Sequence, residues 1–192
     1  MTFLNESGNT ATKPFVLWFT GLSGAGKTSI ATAMKYRLET TFSIHPVILD
    51  GDQLRDGLCR DLGFSGADRD ENTRRAAEVC KLLFDSGLTT LATFMSPKSK
   101  QRNFAKSLFP QSSFIEIFVD TPQCVCEARD PKGLYARARD GHLENFIGIG
   151  DLIYEAPENP DIHLENGMQT IDEAVSQIIN SLIQRDHLPR QK

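Results

Sequence analysis

Short apolar runs separated by helical patterns dominate the hydrophobic profile of the chain. The runs predict buried β-strands at residues 15–20, 46–49, 88–94, 114–119 and 162–164. Between them, apolar residues at helical spacing predict helices at residues 29–40, 70–86, 100–108, 134–139 and 171–184, with another opening at Pro122. Strands that alternate with helices predict an α/β fold, in which a parallel sheet of about five strands is covered by helices on both faces.

Residues 133–160 interrupt this alternation. The segment contains four glycines and two prolines, and few apolar repeats apart from the short helix predicted at 134–139. A loop of this length in a compact domain is usually a functional lid or disordered, and we expect a lid. We expect residues 14–185 to form a single domain that includes this lid, with a flexible arm at 1–13 and a tail at 186–192.

Composition and charge narrow the classes of function. The 192 residues include 21 Lys and Arg against 25 Asp and Glu, a formal net charge of −4, which leaves no basic excess for a nucleic-acid partner. No apolar run approaches the roughly 18 residues of a membrane-spanning helix, and the polar N-terminal residues lack a signal-peptide pattern. The four cysteines form no C-x-x-C pair and are expected to be free thiols. We therefore expect a cytoplasmic protein that binds neither nucleic acid nor membrane.

A phosphate-binding loop follows the first predicted strand. The motif G-x-x-x-x-G-K-[ST] is matched by Gly21, Leu22, Ser23, Gly24, Ala25, Gly26, Lys27 and Thr28. In such a loop the backbone N–H groups and the next helix hold the phosphates, the lysine neutralises their charge, and the threonine hydroxyl reaches Mg²⁺. The motif therefore predicts a purine nucleoside triphosphate with Mg²⁺. Because no N-K-x-D guanine-reading motif occurs, a small kinase is favoured over a GTPase.

Two carboxylates, Asp50 and Asp52, follow the second predicted strand. At the carboxyl edge of a parallel sheet they would face the same crevice as the phosphate loop. A carboxylate there can accept the proton of an attacking hydroxyl or hold Mg²⁺ through water. The alternative is an Asp-Gly turn with two solvated acids.

Longer motifs at residues 21–28, 49–58, 61–64, 68–75, 118–122, 126–135 and 154–160 carry a family resemblance. They include L-D-G-D-Q-L-R-D-G-L, D-P-K-G-L-Y and Y-E-A-P-E-N-P. The chain resembles the adenylyl-sulfate kinases, which use ATP to phosphorylate the 3′-hydroxyl of adenosine 5′-phosphosulfate (APS) in sulfate activation. The resemblance spans about residues 15–182. It implies the P-loop nucleoside-triphosphate kinase fold, ATP as co-substrate, Mg²⁺ and a homodimer.

The resemblance also implies roles for single residues. Arg129 would pack near the adenine of ATP, and Mg²⁺ would lie at Thr28 and Asp50. The implied catalytic residues are Lys27, Asp50, Asp52 and Ser96. Ser96 stands at the family's candidate phosphoserine position, whereas direct in-line transfer needs no such intermediate. Asp50 or Asp52 would then orient or deprotonate the acceptor hydroxyl, and Asp50 is preferred.

The acceptor site implied by the resemblance is larger. Its members are Asp52, Arg55, Phe64, Arg69, Asn72, Arg75, Met95, Ser96, Lys132, Asn145 and Phe146. Arginine suits the phosphosulfate because its fork meets two oxyanion oxygens at once, and Phe64 and Phe146 would sandwich the acceptor adenine. We expect Phe146 to be available for stacking, because an aromatic residue in a glycine-rich lid has little core to join.

The chain departs from the family pattern at Gln53, Lys98, Ala136 and Ile147, and the stretch after Ile149 is longer by one residue. These departures cluster on the acceptor side and in the lid. They keep open a sibling kinase with another nucleotide-derived acceptor. A non-catalytic nucleotide-binding module is a second alternative, against which the intact Lys27 and Asp50 argue.

Overall fold

The computed structural model describes residues 13–143, 145–149, 152–165, 167 and 169–190. The strands are β1 (Val16–Thr20), β2 (Val47–Asp50), β3 (Thr90–Thr93), β4 (Phe114–Asp120) and β5 (Ile162–Glu165). The helices are α1 (Lys27–Phe42), α2 (Gly51–Asp56), α3 (Gly66–Asp85), α4 (Ser99–Ser107), α5 (Gln123–Arg129), α6 (Leu134–Arg139) and α7 (Ile171–Gln184). Except for Lys13, the predicted N-terminal arm lies outside the described residues.

The strands form one sheet with the order β2-β3-β1-β4-β5, and every neighbouring pair is parallel. The central strand β1 is fully buried, as the apolar run predicts for a strand covered on both sides. The predicted α/β class with a parallel five-stranded sheet is therefore confirmed.

Side chains alternate between the two faces of the sheet and form two apolar clusters. Leu17 and Phe19 of β1 belong to the larger cluster, with residues of α1 and α7, whereas Val16 and Trp18 belong to the smaller one, with residues of α3 and α4. This alternation follows the two-residue period of a strand. Leu188 is buried in the larger cluster, so the core extends into the segment predicted as a tail.

Helix ends follow local capping groups. The observed bounds of α6 and α7 are the predicted ones, and Thr170 caps α7 by accepting from the N–H of Glu173. Helix α3 begins four residues before its predicted start, because Ser65 accepts from the N–H of Asp68. Helix α2 follows β2 directly, at residues for which the sequence analysis predicts no helix. None of the helices in the described ranges has the length and apolar content that a membrane crossing requires.

All five strands place a polar residue at their carboxyl ends: Thr20, Asp50, Thr93, Asp120 and Glu165. Because the strands are parallel, these ends share one edge of the sheet. Ligands of open α/β sheets bind in the crevice outside this edge. The phosphate loop follows β1 at the same edge, and the candidate site is built there.

Candidate active site

The phosphate loop joins β1 to α1 through glycines in conformations that other residues rarely adopt. Gly21 has a φ of +146°, and a Cβ atom built on it would stand 2.5 Å from the carbonyl oxygen of Val119. A side chain at this position would therefore push the loop away from β4. Gly26 is left-handed, with a φ of +101°, directly before the first residue of α1. The loop and the positive end of the α1 dipole together form an anion-binding site.

Lys27, the first residue of α1, is turned back over this loop. Its Nζ donates to the carbonyl oxygens of Gly21 at 2.8 Å and Leu22 at 2.7 Å. Burial, and secondarily the charge of Lys132, lowers the pKa of Lys27 from 10.5 to about 8. A cation held at such a desolvation cost gains from an anionic ligand.

Asp50 is the centre of a hydrogen-bonded group at the ends of β2 and β3. Its Oδ2 accepts from Thr28 Oγ1 at 2.7 Å and Thr93 Oγ1 at 2.8 Å, and its Oδ1 accepts from the N–H of Asp52 at 2.9 Å. Partial burial acts to raise the pKa of Asp50, but these three donors outweigh it and lower the pKa below its usual value. Asp50 is therefore an anion at neutral pH, and it also caps the N-terminus of α2.

The oxygens of Thr28 and Asp50 fit a divalent cation. Both are hard oxygen donors, which Mg²⁺ prefers, and they stand in direct contact next to the phosphate loop. A Mg²⁺ site of P-loop enzymes is completed by phosphate oxygens and water rather than by a protein cage. The described residues contain no cluster of three or more His, Cys, Asp or Glu side chains able to hold a metal.

Two arginines and one aromatic ring form the opposite side of the crevice. The guanidinium carbon of Arg55 lies 4.4 Å from the ring centroid of Phe64, and that of Arg69 lies 5.3 Å from it. Burial lowers the pKa of Arg55, and burial with the charge of Arg55 lowers the pKa of Arg69 to about 10. Both remain cationic at neutral pH. Phe64 is 41% exposed, so part of its ring is free for a ligand.

Arg69 also reaches the predicted lid. Its Nη2 donates to the backbone carbonyl oxygen of Asn145 at 2.7 Å, and its Nε donates to that of Phe64 at 3.1 Å. Across the crevice, Lys132 forms an ion pair with Asp52. The first contact joins the segment that begins at Gly133 to α3, and the second joins the residue before that segment to α2.

Asn72 supplies an unpaired polar group. It is buried at the wall of the crevice, and its Nδ2 has no hydrogen-bond partner within the described part of the chain. A buried donor without a partner is costly. A ligand oxygen in the crevice would remove this cost, which supports a binding role for Asn72.

These groups line one cavity of about 670 Å³. Of the residues predicted for the site, the cavity is lined by Ser23, Gly24, Gly26, Lys27, Thr28, Asp50, Asp52, Arg55, Phe64, Arg69, Asn72, Met95, Ser96, Arg129, Lys132 and Phe146. The lining also contains residues that sequence reasoning missed: Ser29, Gly51, Thr73, Thr93, Phe94, Pro97, Pro131, Leu134, Leu143, Gln169 and Ile171. Thr93 was identifiable in principle, because it is a polar residue near the end of the strand predicted at 88–94, and it ends the observed β3.

Other predicted residues are placed differently. Arg75 does not line the cavity: it pairs with Asp61 at 2.7 Å and Glu71 at 2.9 Å, which raises its pKa. Its side chain ties α3 to the loop after α2. Asn145 contributes only its backbone carbonyl oxygen, which accepts the hydrogen bond from Arg69. The phosphate loop also contains Gly21, Leu22 and Ala25, which do not line the cavity.

Phe146 corrects a sequence-based expectation. It is only 6% exposed and packs edge-to-face on Tyr135 at 4.9 Å between ring centroids, within the larger apolar cluster. The expectation that it has little core to join is wrong, because α6 brings Tyr135 beneath the lid. Phe146 lines the cavity from this packed position.

Comparisons with known proteins agree with this geometry. The family model described as adenylylsulphate kinase matches residues 13–165, well over half of the chain. The chain belongs to the adenylylsulphate kinase family. It is 48% identical over 186 residues to the adenylyl-sulfate kinase of Marinobacter nauticus, and the alignment covers 97% of this chain and 92% of that relative.

Two solved structures of family members are informative. The structure of the Mycobacterium tuberculosis APS kinase in complex with AMPPNP and APS is 44% identical to this chain, with a TM-score of 0.83, covering 90% of this chain and 99% of that one. A hexameric APS kinase from Thiobacillus denitrificans is 29% identical with a TM-score of 0.70, covering 92% of this chain and 30% of that one. As an adenylylsulphate kinase family member, the chain shares its fold with both.

Proposed function

We propose that the protein transfers the γ-phosphoryl group of ATP to the 3′-hydroxyl of APS. The products are ADP and 3′-phosphoadenosine 5′-phosphosulfate. The observation that carries the proposal is the single cavity lined on one side by the phosphate loop with Lys27 and on the other by Arg55 and Arg69. Two anionic nucleotides can thus meet at Asp50. Family membership and the relatives that act on APS support the same reaction.

The donor side binds and neutralises the triphosphate. The loop N–H groups and the N-terminus of α1 hold phosphate oxygens, and Lys27 compensates the charge that develops on the transferred group. Thr28, and Asp50 through water, would hold Mg²⁺, which would supply positive charge beside the phosphates. Arg129, at the end of α5, lines the cavity on this side and is proposed to pack on the adenine of ATP.

The acceptor side orients the attacking hydroxyl. A carboxylate has about four acceptor positions, and Asp50 uses three of them within the protein. The fourth, on Oδ1, can accept the hydrogen bond of the 3′-hydroxyl. In an in-line transfer a new bond forms between the 3′-oxygen of APS and the γ-phosphorus of ATP. The bond between the γ-phosphorus and the oxygen that bridges it to the β-phosphorus breaks at the same time, and that oxygen leaves with ADP. The hydroxyl proton passes to Asp50. Asp52 is exposed and paired with Lys132, which favours a binding role.

The remaining acceptor contacts are proposals of the same kind. The phosphosulfate and ribose of APS would be bound by Arg55, Arg69 and Asn72. The adenine of APS would lie between Phe64 and Phe146. Ser96 has a buried hydroxyl engaged by Trp18 and Thr20, which favours a structural role over a phosphoserine intermediate.

A nucleotide panel tests the proposed reaction. With ATP and Mg²⁺, we expect ADP release with APS and a 3′-phosphorylated product, whereas adenosine 5′-monophosphate and other nucleoside monophosphates should support little turnover. Arg55 and Arg69 are the reason, since they offer two cations to an acceptor that carries both phosphate and sulfate oxygens. Turnover with another nucleotide and none with APS would identify a sibling kinase. No turnover with any acceptor would favour a binding module.

We propose that residues 133–160 act as a lid of the single domain. The contact of Asn145 with Arg69 of α3, and the pairing of the adjacent Lys132 with Asp52 of α2, support this. A closed lid excludes water, so that ATP is not hydrolysed. Limited proteolysis near Gly141 should slow when ATP analogue and APS are bound together, and unchanged cleavage would contradict closure.

We also propose a homodimer and a cytoplasmic location. A hexameric relative indicates that chains of this family assemble, and sedimentation equilibrium would distinguish a dimer from a hexamer or a monomer.

The four free cysteines, three of them buried, support a reducing compartment. Cell fractionation would test the location.

A further inference from the structure

The turn formed by residues 95–97, here the 95–97 turn, leads from β3 into the cavity wall. All three of its residues line the cavity. Ser96 has a φ of +37°, in the region that favours glycine. A residue other than glycine keeps such a conformation only where its surroundings over-determine it. The contacts that hold Ser96 therefore determine the shape of the acceptor side.

A chain of hydroxyl groups holds the turn from below. Trp18 Nε1 donates to Ser96 Oγ at 3.1 Å, and Ser96 Oγ donates to Thr20 Oγ1 at 3.0 Å. Thr20 Oγ1 donates to the carbonyl oxygen of Met95 at 2.7 Å. The directions follow from chemistry, because an indole nitrogen only donates and a carbonyl oxygen only accepts. Tyr154, whose hydroxyl is 2.7 Å from Thr20 Oγ1, must then be a donor.

A buried ion pair completes the support. Arg102 of α4 is 3% exposed; its Nη1 donates to the carbonyl oxygen of Ser96 at 2.9 Å, and its Nε pairs with Glu116 at 2.9 Å. The guanidinium carbon also lies 5.8 Å from the ring centroid of Tyr154. Arg102 thus holds the backbone of Ser96 and is itself held by Glu116 of β4, whereas Tyr154 contacts Arg102 and Thr20.

Tyr154 and Glu155, here called the clasp, are the point where the lid segment returns to the sheet. The Tyr154 ring stacks on Phe118 at 5.8 Å with an interplanar angle of 15°. The N–H of Glu155 donates to the carbonyl oxygen of Pro97 at 2.8 Å, and its Oε2 accepts from the N–H of Ser99 at 2.7 Å. The clasp therefore contacts the Pro97 end of the turn directly and the Met95 end through the Thr20 hydroxyl. It is 134 residues from Thr20 in sequence.

We propose that Tyr154 is a positioning residue for the acceptor nucleotide, which acts through the Thr20 hydroxyl on the strained 95–97 turn. The inference rests on the proposed function, since the turn is assigned to the APS side of the cavity. Tyr154 touches neither the phosphate loop nor Asp50 in the contacts above. Its loss should therefore change acceptor binding and leave ATP binding intact.

The variant Tyr154→Phe removes only the hydroxyl and keeps the stacked ring. Losing one hydrogen bond should raise the KM for APS about three- to tenfold, with the KM for ATP unchanged. Steady-state ADP release, with each substrate varied at saturating concentration of the other, measures both constants. Thr20→Val breaks the same connection and also removes the bonds to Met95 and Ser96, so the KM for APS should rise at least as much. The double variant should be no worse than Thr20→Val, because both changes remove one path.

Tyr36→Phe is the matched control, since Tyr36 is 68% exposed on α1 and should leave both KM values unchanged. If wild-type protein turns over APS and Tyr154→Phe keeps its KM for APS, the positioning role is wrong. Equal losses of ATP and APS affinity in Tyr154→Phe would indicate general loss of structure and would also overturn it. If wild-type protein does not turn over APS, the proposed function fails instead.

Discussion

Replacing Asp50 with asparagine should lower kcat about 10³-fold. Removal of a general base typically costs 10²–10⁴ in rate. The amide loses the negative charge and cannot accept the hydroxyl proton. The amide also replaces one carboxylate oxygen with an NH₂ donor. At the position of Oδ2 this donor would face the donating hydroxyls of Thr28 and Thr93. At the position of Oδ1 it would face the N–H of Asp52 and the acceptor hydroxyl. Single-turnover measurement of product formation would isolate the chemical step.

Asp56→Asn is the control for this change. Asp56 ends the same short helix α2 and is exposed, so the same loss of charge there should leave kcat unchanged. Thr93→Val removes one of three donors to Asp50 and should have an intermediate effect. A kcat of Asp50→Asn within tenfold of wild type would exclude Asp50 as the proton acceptor and leave Asp52 as the candidate.

The centre of the sheet was predictable because strands β3, β1 and β4 are buried on both faces. Apolar runs such as residues 15–20 and 114–119, the second interrupted only by Glu116, predict such strands, and the observed β1 and β4 fall on them. Helix α7 was predicted at its observed bounds because its apolar stripe is long. Helix α2 was not, since the six residues from Gly51 to Asp56 are too few to show a period. Its start depends on the Asp50 side chain, which the sequence also offers as a turn residue.

The donor side of the site was predictable for a different reason. The phosphate loop places Lys27 and Thr28 by local sequence alone, because backbone N–H groups within eight consecutive residues do the binding. The acceptor side depends on contacts between distant segments. Arg75 and Arg69 lie on the same helix and look alike in sequence, yet only Arg69 lines the cavity, because Asp61 captures Arg75.

Contacts of the lid were beyond sequence reasoning. Phe146 reaches the core because α6 presents Tyr135 to it, and no local pattern shows that two lid residues meet. Tyr154 reaches Thr20 across 134 residues of chain. In the sequence, Tyr154 is recognisable only as part of a motif. Its hydrogen bond to Thr20 depends on the end of β1 lying next to the returning lid segment.

Replacing Lys27 with methionine should lower kcat/KM about 10³-fold and abolish a proton uptake that accompanies ATP binding. The rate effect follows from losing a charge that stabilises the transferred phosphoryl group. The uptake follows from the pKa of Lys27, which burial lowers to about 8. At pH 8 half of the protein therefore carries a neutral Lys27, and a polyphosphate raises that pKa by favouring the charged form. Binding should take up about half a proton per ATP at pH 8, less at pH 6.5 and more at pH 9.

Calorimetric titration with ATP and Mg²⁺ in two buffers of different ionisation enthalpy measures this uptake. Lys35→Met is the control, because Lys35 lies on the outer side of α1 with a surface partner, Glu39, and should retain the wild-type uptake.

The lowered pKa of Lys27 also predicts how the free energy of unfolding changes with pH, which can be measured independently. In the unfolded chain Lys27 keeps its proton up to about pH 10.5, whereas in the folded protein it loses it at about pH 8. Unfolding therefore takes up a proton between these pH values. The contribution of Lys27 to stability consequently rises with pH from about 8 to 10.5. Lys27→Met should remove this rise. If the variant keeps both the proton uptake and the pH-dependent rise in stability, the proton belongs to another group and Lys27 is charged throughout. A loss of both, with Lys35→Met unchanged, would tie the proton to the lysine that meets the phosphates.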